Sequence, residues 1–331
     1  MSTATVDKPR SLADIKRPID TNLDEFQKYF RESMRSRVRL LDIVTQYTLR
    51  RKGKQLRPIL VMLAAGTCGE INQTTYVGAA LVELLHTATL VHDDVVDNAE
   101  RRRGILSINA IWKNRVAVLF GDFLLSRGLL LALEHKAYGL LQAVSDAVGR
   151  MSEGELLQMD KARRLDIDED TYYRIISDKT ASLFAACTAC GAISASDDPD
   201  LADAMKALGE KLGLAFQIRD DLFDFGGADI GKPVGNDLQE RKITLPLIHA
   251  LREADKSEKG AIMKIVKKRR KSGADLRTVS RFVEENGGLA YARDAMTGLA
   301  VEAESIARTF PVGEKRDALI DLIRFVVTRR K

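Results

Sequence analysis

Residues 90–104 read LVHDDVVDNAERRRG, and this stretch decides how the chain folds. Its three aspartates, Asp93, Asp94 and Asp97, follow directly on LVELLHTATLV (81–91), an apolar run with the composition of a buried helix. If that helix continues through the acids, Asp93 and Asp97 stand one turn apart on one face, with Asp94 beside them. Like charges at that spacing cost a few tenths of a kcal/mol in water, and more where solvent is scarce. Positive charge belongs between them. A hard cation bound through oxygens, of the Mg²⁺ kind that also takes substrate phosphate oxygens, supplies it.

The pattern recurs in FQIRDDLFDF (216–225), where Asp220, Asp221 and Asp224 repeat the spacing at the end of another apolar helical run, residues 208–218. One DDxxD describes a solvated acidic helix end as well as it describes a metal site. Two copies, each reached from an apolar segment and followed by basic residues, are poorly explained as surface decoration. Six carboxylates share a cavity only if cations and a polyanionic ligand share it with them.

The rest of the composition is that of an ordinary globular chain. It has 331 residues, enough for a sizeable core, with 45% hydrophobic and 30% charged residues. A net charge of +5 with dispersed basic residues argues against a dedicated nucleic-acid binder. The run KKRRK (267–271) reads as a solvated helix end, with weak peripheral contact to anionic lipid as the alternative. The N-terminus lacks a signal-type apolar core and no segment approaches 18 uninterrupted apolar residues, so a cytoplasmic location is expected. Of the three cysteines, Cys68, Cys187 and Cys190, the last two form a CxxC inside SLFAACTACGAISA. That apolar setting favours packed thiols over a redox pair or a zinc site.

Apolar spacing along the chain is helical throughout. Residues 1–20 read as a flexible arm and 21–331 as one all-α domain of ten or more helices. Helices are expected over 22–49, from Pro58, from Thr74 into the first acid cluster, and over 112–135, 138–160 and 168–194. Asp198-Pro199 supplies an N-cap and a first-turn proline for the helix that carries the second cluster. GGADIGKPVGND (226–237) is a glycine-rich loop, and helix resumes at Thr244. No two-residue alternation is present, so no sheet is expected. The architecture is a helical bundle with a central cavity between facing helices.

Basic residues answer the acids. In GKQLRP (53–58), Lys54 and Arg57 are three apart and can reach one diphosphate, Arg as a fork and Lys as a point charge. Arg102 and Arg103 follow the first cluster closely. Lys179, in SDKTASLF, lies in an otherwise apolar helix and is costly unless paired or in reach of a ligand. Lys232 and Lys242 flank the loop after the second cluster. His86, seven residues before Asp93, shares its face, although a lone histidine there also reads as a core residue.

Taken in order, GKQLRP, HDDVVDNAERRRG, KTASLF, FQIRDDLFDF and GKPVGND before KITLP resemble the trans-isoprenyl (polyprenyl) diphosphate synthases, over about residues 53–247. The resemblance implies the all-α isoprenoid synthase fold. It implies that Asp93, Asp94, Asp97, Asp220, Asp221 and Asp224 hold three Mg²⁺ ions, with Mn²⁺ as an alternative. Arg102 and Lys179 would bind an allylic diphosphate, Lys242 would assist, and Gln217 and Lys232 would line the site. Gly53, Lys54, Arg57, His86 and Arg103 would hold isopentenyl diphosphate. The allylic C1–O bond would ionise, the isopentenyl double bond would attack the cation, and a proton would leave to the released diphosphate. No protein nucleophile is needed, in keeping with the absence of a Ser–His or Cys–His pattern.

Two departures from the family pattern stand out: GILSIN, with Ile105 where GKPS is common, and Arg241-Lys242 where Gly-Lys is usual. The family sets product length with bulky residues just before the first aspartate motif. Here those places are the small Ala88 and Thr89, with Leu85 deeper on the helix, which implies a product of about thirty carbons or more, of the sort used for quinone side chains. A homodimer is the family expectation. Rival readings are a short-chain farnesyl or geranylgeranyl synthase, a terpene cyclase and a non-catalytic partner subunit. The intact pair of acid clusters speaks against the last. The set Lys54, Arg57, His86 and Arg103, a site for a second diphosphate, speaks against the cyclase.

Overall fold

Both aspartate motifs close long helices: α5 (Gln73–Val96) carries the first and α10 (Pro199–Phe225) the second. The computed structural model describes residues 10–50, 55–102, 104–225 and 235–329. Around these two run α1 (Leu12–Lys16), α2 (Asp20–Ser33), α3 (Arg39–Leu49), α4 (Leu56–Cys68), α6 (Ile108–Glu134), α7 (Tyr138–Arg164), α8 (Glu169–Ile176) and α9 (Ser182–Ala195). The C-terminal part adds α11 (Asn236–Gln239), α12 (Leu245–Glu253), α13 (Lys256–Lys267), α14 (Gly273–Glu285), α15 (Gly288–Arg308) and α16 (Glu314–Thr328).

The core follows from which helices are apolar all round. In α5, Asn72 caps the N–H groups of Thr74 and Thr75, and the next three turns are buried on every side. α9, rich in Ala, Cys and Gly, is buried round its circumference, and α4, α5, α7 and α10 pack against it. A second apolar cluster lies beneath the end of α10, built with α8, α12, α14 and α15. α10 thus belongs to both clusters, and its acid end stands where they meet. Cys187 and Cys190 are fully buried, and burial pushes the Cys187 thiol up to about 12 and that of Cys190 higher still. They are packing groups. α5 and α6 are each long and apolar enough to cross a membrane by length and composition, with 67% and 39% of their most apolar windows buried in the bundle.

Four expectations need correction. The flexible arm ends sooner than residue 20: Ser11 caps α1, and Ile15 and Ile19 are fully buried. They extend the stripe of Leu23, Phe26 and Phe30 backwards at three- and four-residue spacing, through a 3₁₀ turn at Arg17–Ile19 that Pro18 opens. The expected helix over 22–49 is two helices, parted at residues 34–38. A two-residue antiparallel pair, Arg101–Arg102 with Ile105–Leu106, turns at Gly104, whose φ is 83°. It is too short for alternation to reveal. The KKRRK run is partly folded in: Lys271 is buried, its N–H donates to Gln239 Oε1, and Lys268 pairs with Asp275 at 2.6 Å.

α6 contains a break at Lys113, whose φ of 71° and ψ of 163° lie where glycine alone is comfortable. The side chain is exposed and contributes no core packing. Lys113→Gly is therefore expected to stabilise the protein by about 1 kcal/mol through relief of backbone strain. A melting temperature unchanged or lowered in calorimetry would contradict this.

Candidate active site

The two motifs fold alike. In each, the first aspartate is exposed and the second is buried and held by protein donors. A helix turns about 100° per residue, so adjacent aspartates on one helix cannot face the same space. Asp94, 3% exposed, accepts from Arg102 Nε at 2.5 Å. Asp221, 4% exposed, accepts from the Tyr172 hydroxyl at 2.6 Å on one oxygen and from Gln217 Nε2 at 2.8 Å on the other. Asp93 and Asp97 are exposed at the end of α5. Asp220 is exposed and pairs with Arg329. Asp224 accepts the N–H groups of Asn236 at 2.8 Å and Asp237 at 3.2 Å, which ties the start of α11 to the end of α10.

The electrostatics show a site short of positive charge. Partial desolvation by the surrounding protein, then repulsion from Glu155 and Asp97, raises the Asp93 pKa against the pull of Lys179 and Arg102. Burial, followed by the charges of Asp237 and Asp220, lifts Asp221 to about 7, despite the bonds from Tyr172 and Gln217. Burial and Asp224 lift Asp237 to about 6.

Lys179 sits in a π turn, Ser177–Ala181, between α8 and α9. Its ammonium pairs with Glu155 of α7 and donates to Gln158 Oε1 at 3.4 Å. The lysine's partner is therefore on the facing helix. Gly154 allows that approach: a Cβ there would stand 2.8 Å from the Lys179 backbone nitrogen. Beside it, Thr180 donates to Gln217 Oε1 at 2.8 Å. Lys242, bonded to Glu240 at 2.5 Å, has its pKa raised by Glu240 and Asp237 although burial works against it. Lys179, Gln217, Asp221, Asp237 and Lys242 line one cavity of about 100 Å³.

A larger cavity of about 770 Å³ is lined by Arg57, His86, Asp94, Arg102, Phe216 and Arg329 among others. His86 is buried, 9% exposed, and faces this space. Gly53, Lys54, Arg103 and Lys232 lie outside the described residues. Ala88 is fully buried, Leu85 nearly so, and Thr89 donates its hydroxyl to the His86 carbonyl at 2.9 Å. Ile105 is 40% exposed on the small hairpin. Arg241 lines the smaller cavity with φ at 61°, a left-handed conformation that explains why glycine suits this position.

Four residues escaped the sequence reading. Glu155 and Asp237 look like ordinary surface acids until the fold sets them beside Lys179 and Lys242. Tyr172 is one of two adjacent tyrosines, with nothing in the sequence to mark which is buried. Arg329 lies 109 positions from Asp220, in the basic run 329–331.

The residues present fit a hard divalent cation. Among the described residues no three acidic or histidine side chains converge closely enough to hold an ion as they stand. The available donors are nonetheless carboxylate oxygens, two of them a helical turn apart at Asp93 and Asp97, in a site whose acids are raised by burial and mutual repulsion.

Comparison with known proteins gives a consistent picture. The family model described as polyprenyl synthetase matches residues 38–283. The chain is similar to an all-trans-nonaprenyl-diphosphate synthase (geranyl-diphosphate specific) of Rhodobacter capsulatus, with 36% identity covering 96% of this chain and 97% of the relative. It is 35% identical to the octaprenyl diphosphate synthase of Escherichia coli, over 90% of this chain and 93% of the other. Among solved structures, a Caulobacter crescentus polyprenyl synthase complexed with calcium and isoprenyl diphosphate superimposes with a TM-score of 0.89 at 34% identity, covering 98% of this chain and 99% of that one.

Proposed function

We infer what the protein does from one premise: the chain belongs to the polyprenyl synthetase family. It is a prenyltransferase that condenses isopentenyl diphosphate with an allylic diphosphate, and its product is a long-chain trans-polyprenyl diphosphate. The observation that carries this reading to individual residues is the pair of cationic cavities at the twin aspartate motifs, one lined by Asp94 with Arg57, His86 and Arg102, the other by Asp221 with Lys179 and Lys242.

Asp93, Asp97, Asp220 and Asp224, with Asp94 and Asp221 behind them, would hold divalent cations, three Mg²⁺ in this reading, which would supply Lewis-acid neutralisation of the diphosphate. Lys179 and Arg102 grip the allylic diphosphate, Lys242 assists, and their charge offsets the negative charge that grows on its oxygens as the C1–O bond breaks. Arg57 and His86 hold isopentenyl diphosphate so that its double bond faces C1, which removes most of the entropic cost of the encounter. Buried apolar walls keep water from the allylic cation. The proton lost on closure leaves with the released diphosphate.

A homodimer belongs to the same reading. Val118, Leu119, Leu129, Leu130 and Leu133 leave an exposed apolar face on α6, and a second copy of the chain covers it. Leu119→Asp with Leu130→Asp is expected to give a monomer in sedimentation equilibrium; a wild-type monomer would refute the assignment. The location is proposed as cytoplasmic, with transient contact to a membrane that receives the product.

The test of function is incubation with farnesyl diphosphate, labelled isopentenyl diphosphate and Mg²⁺, followed by sizing of the dephosphorylated products. A ladder ending at about thirty carbons or beyond is expected. A stop at twenty would overturn the long-chain product, and unlabelled product would indicate hydrolysis or cyclisation.

A further inference from the structure

The π turn that carries Lys179 is clasped from outside the cavity. Arg150 of α7 donates through Nε to Asp178 Oδ1 at 2.9 Å and through Nη2 to Ser177 Oγ at 2.7 Å. The same guanidinium forks onto Glu210 of α10, at 3.2 Å and 2.8 Å, and Ser177 also donates to Glu210. Every partner in this cluster lies at the start of the π turn or on α7 and α10, which pack against it. Ser177 and Asp178 face the clasp, whereas Lys179 and Thr180 face the diphosphate cavity.

A π turn holds one residue more than an α turn and is the less stable form, found mostly as short insertions held by their surroundings. Were this one to relax to α geometry, the side chains after the insertion would swing by about 100° about the helix axis. Lys179 would leave Glu155 and Gln158, and Thr180 would release Gln217, whose other end holds Asp221. The bidentate Arg150–Glu210 pair bridges α7 to α10 over the turn, with charge-assisted bonds of the stronger class.

We propose that Arg150 and Glu210 are positioning residues for the allylic diphosphate site: by clamping Ser177 and Asp178 they hold the π turn that aims Lys179 and Thr180 into it. The proposal rests on the reading that Lys179 grips the allylic diphosphate. Neither Arg150 nor Glu210 lines the cavity, so each acts through the turn.

The test is a double-mutant cycle between Arg150→Met and Lys179→Ala, read as the Kd of farnesyl thiodiphosphate, an unreactive allylic probe, by calorimetry in MgCl₂. Arg150→Met alone is expected to weaken the probe roughly tenfold, the scale of one lost charge-assisted bond. In the Lys179→Ala background it should change Kd less than about twofold, because the residue it aims is gone. The KM for isopentenyl diphosphate should stay within about twofold of wild type. Equal weakening in both backgrounds, or equal loss for both substrates, would show a merely structural role and overturn the proposal. If Lys179→Ala itself leaves Kd unchanged, the assignment of Lys179 fails, and the proposal with it. Should Arg150→Met not fold, the near-isosteric Glu210→Gln runs the same cycle with the same criteria.

Discussion

Asp93→Asn and Asp220→Asn are each expected to lower kcat by about a thousandfold, and Asp93→Asn to leave the melting temperature close to that of the wild type. Both side chains are exposed, but Asp220 is the counter-charge of Arg329, whose own side chain is only 8% exposed, so Asp220→Asn also lowers the melting temperature. What each loses is the negative charge that holds a cation against the departing diphosphate, and single groups stabilising charge in a transition state contribute factors of about 10² to 10³. Asp94→Asn and Asp221→Asn should behave differently from Asp93→Asn. Asp94 is the buried partner of Arg102, and weakening one side of a buried ion pair destabilises by about 3 kcal/mol. Asp221 accepts on both oxygens, from Tyr172 and Gln217; asparagine has one acceptor, so one of those donors loses its partner. Activity and melting temperature should therefore fall together at 94, 220 and 221, and activity alone at 93. Product assays beside calorimetry on the four variants would show it. A common pattern for all four would refute the division into cation-facing and anchoring carboxylates.

This division was half legible in the sequence. The i, i+4 spacing of Asp93 with Asp97 and of Asp220 with Asp224 is a property of any helix, so it could be read directly. Which of two adjacent aspartates is buried depends on where the neighbouring helices lie, and that is decided by packing. The same holds for Lys179. Its apolar setting correctly announced that a cation there needs a partner, but SDKTASLF reads as regular helix, and the π turn that aims the lysine depends on Arg150 and Glu210, 29 positions before it and 31 after it. Ile15 and Ile19 were hidden for another reason: Pro18 and the short polar helix around them look like a tail, and only the continued stripe into Leu23 and Phe26 shows otherwise. Periodicity finds helices well. Long-range charge partners and non-α turns leave no period to find.

Ala88→Phe carries the second large expected effect, a shift of the main product from thirty or more carbons to twenty or fewer. Ala88 is fully buried on α5, and Leu81, Leu85 and Ala88 recur at helical spacing on one face of it. Leu81 and Leu85 pack against α6 at Gly128, where an added Cβ would stand 3.2 Å from Leu81 and 3.9 Å from Leu85. A growing chain that passes the acid cluster along this face gains about 5 Å of depth for each helical turn of open wall. Phenylalanine at 88 closes that wall about one and a half turns before Asp93. Overpacking will cost about 1–3 kcal/mol, so the melting temperature and the KM for isopentenyl diphosphate serve as controls that the bundle and the second substrate's site persist. Leu85→Ala should work in the opposite direction and lengthen the product. The opposite face of α5 offers the competing route, since His86 and Leu90 look into the larger cavity, whose far wall holds Phe26, Phe30 and Met34. Chromatography of the dephosphorylated products separates the two. If Ala88→Phe leaves the length unchanged while Leu90→Trp shortens it, the chain grows into that cavity instead, and the small residues at 88 and 89 merely let α5 and α6 pack closely.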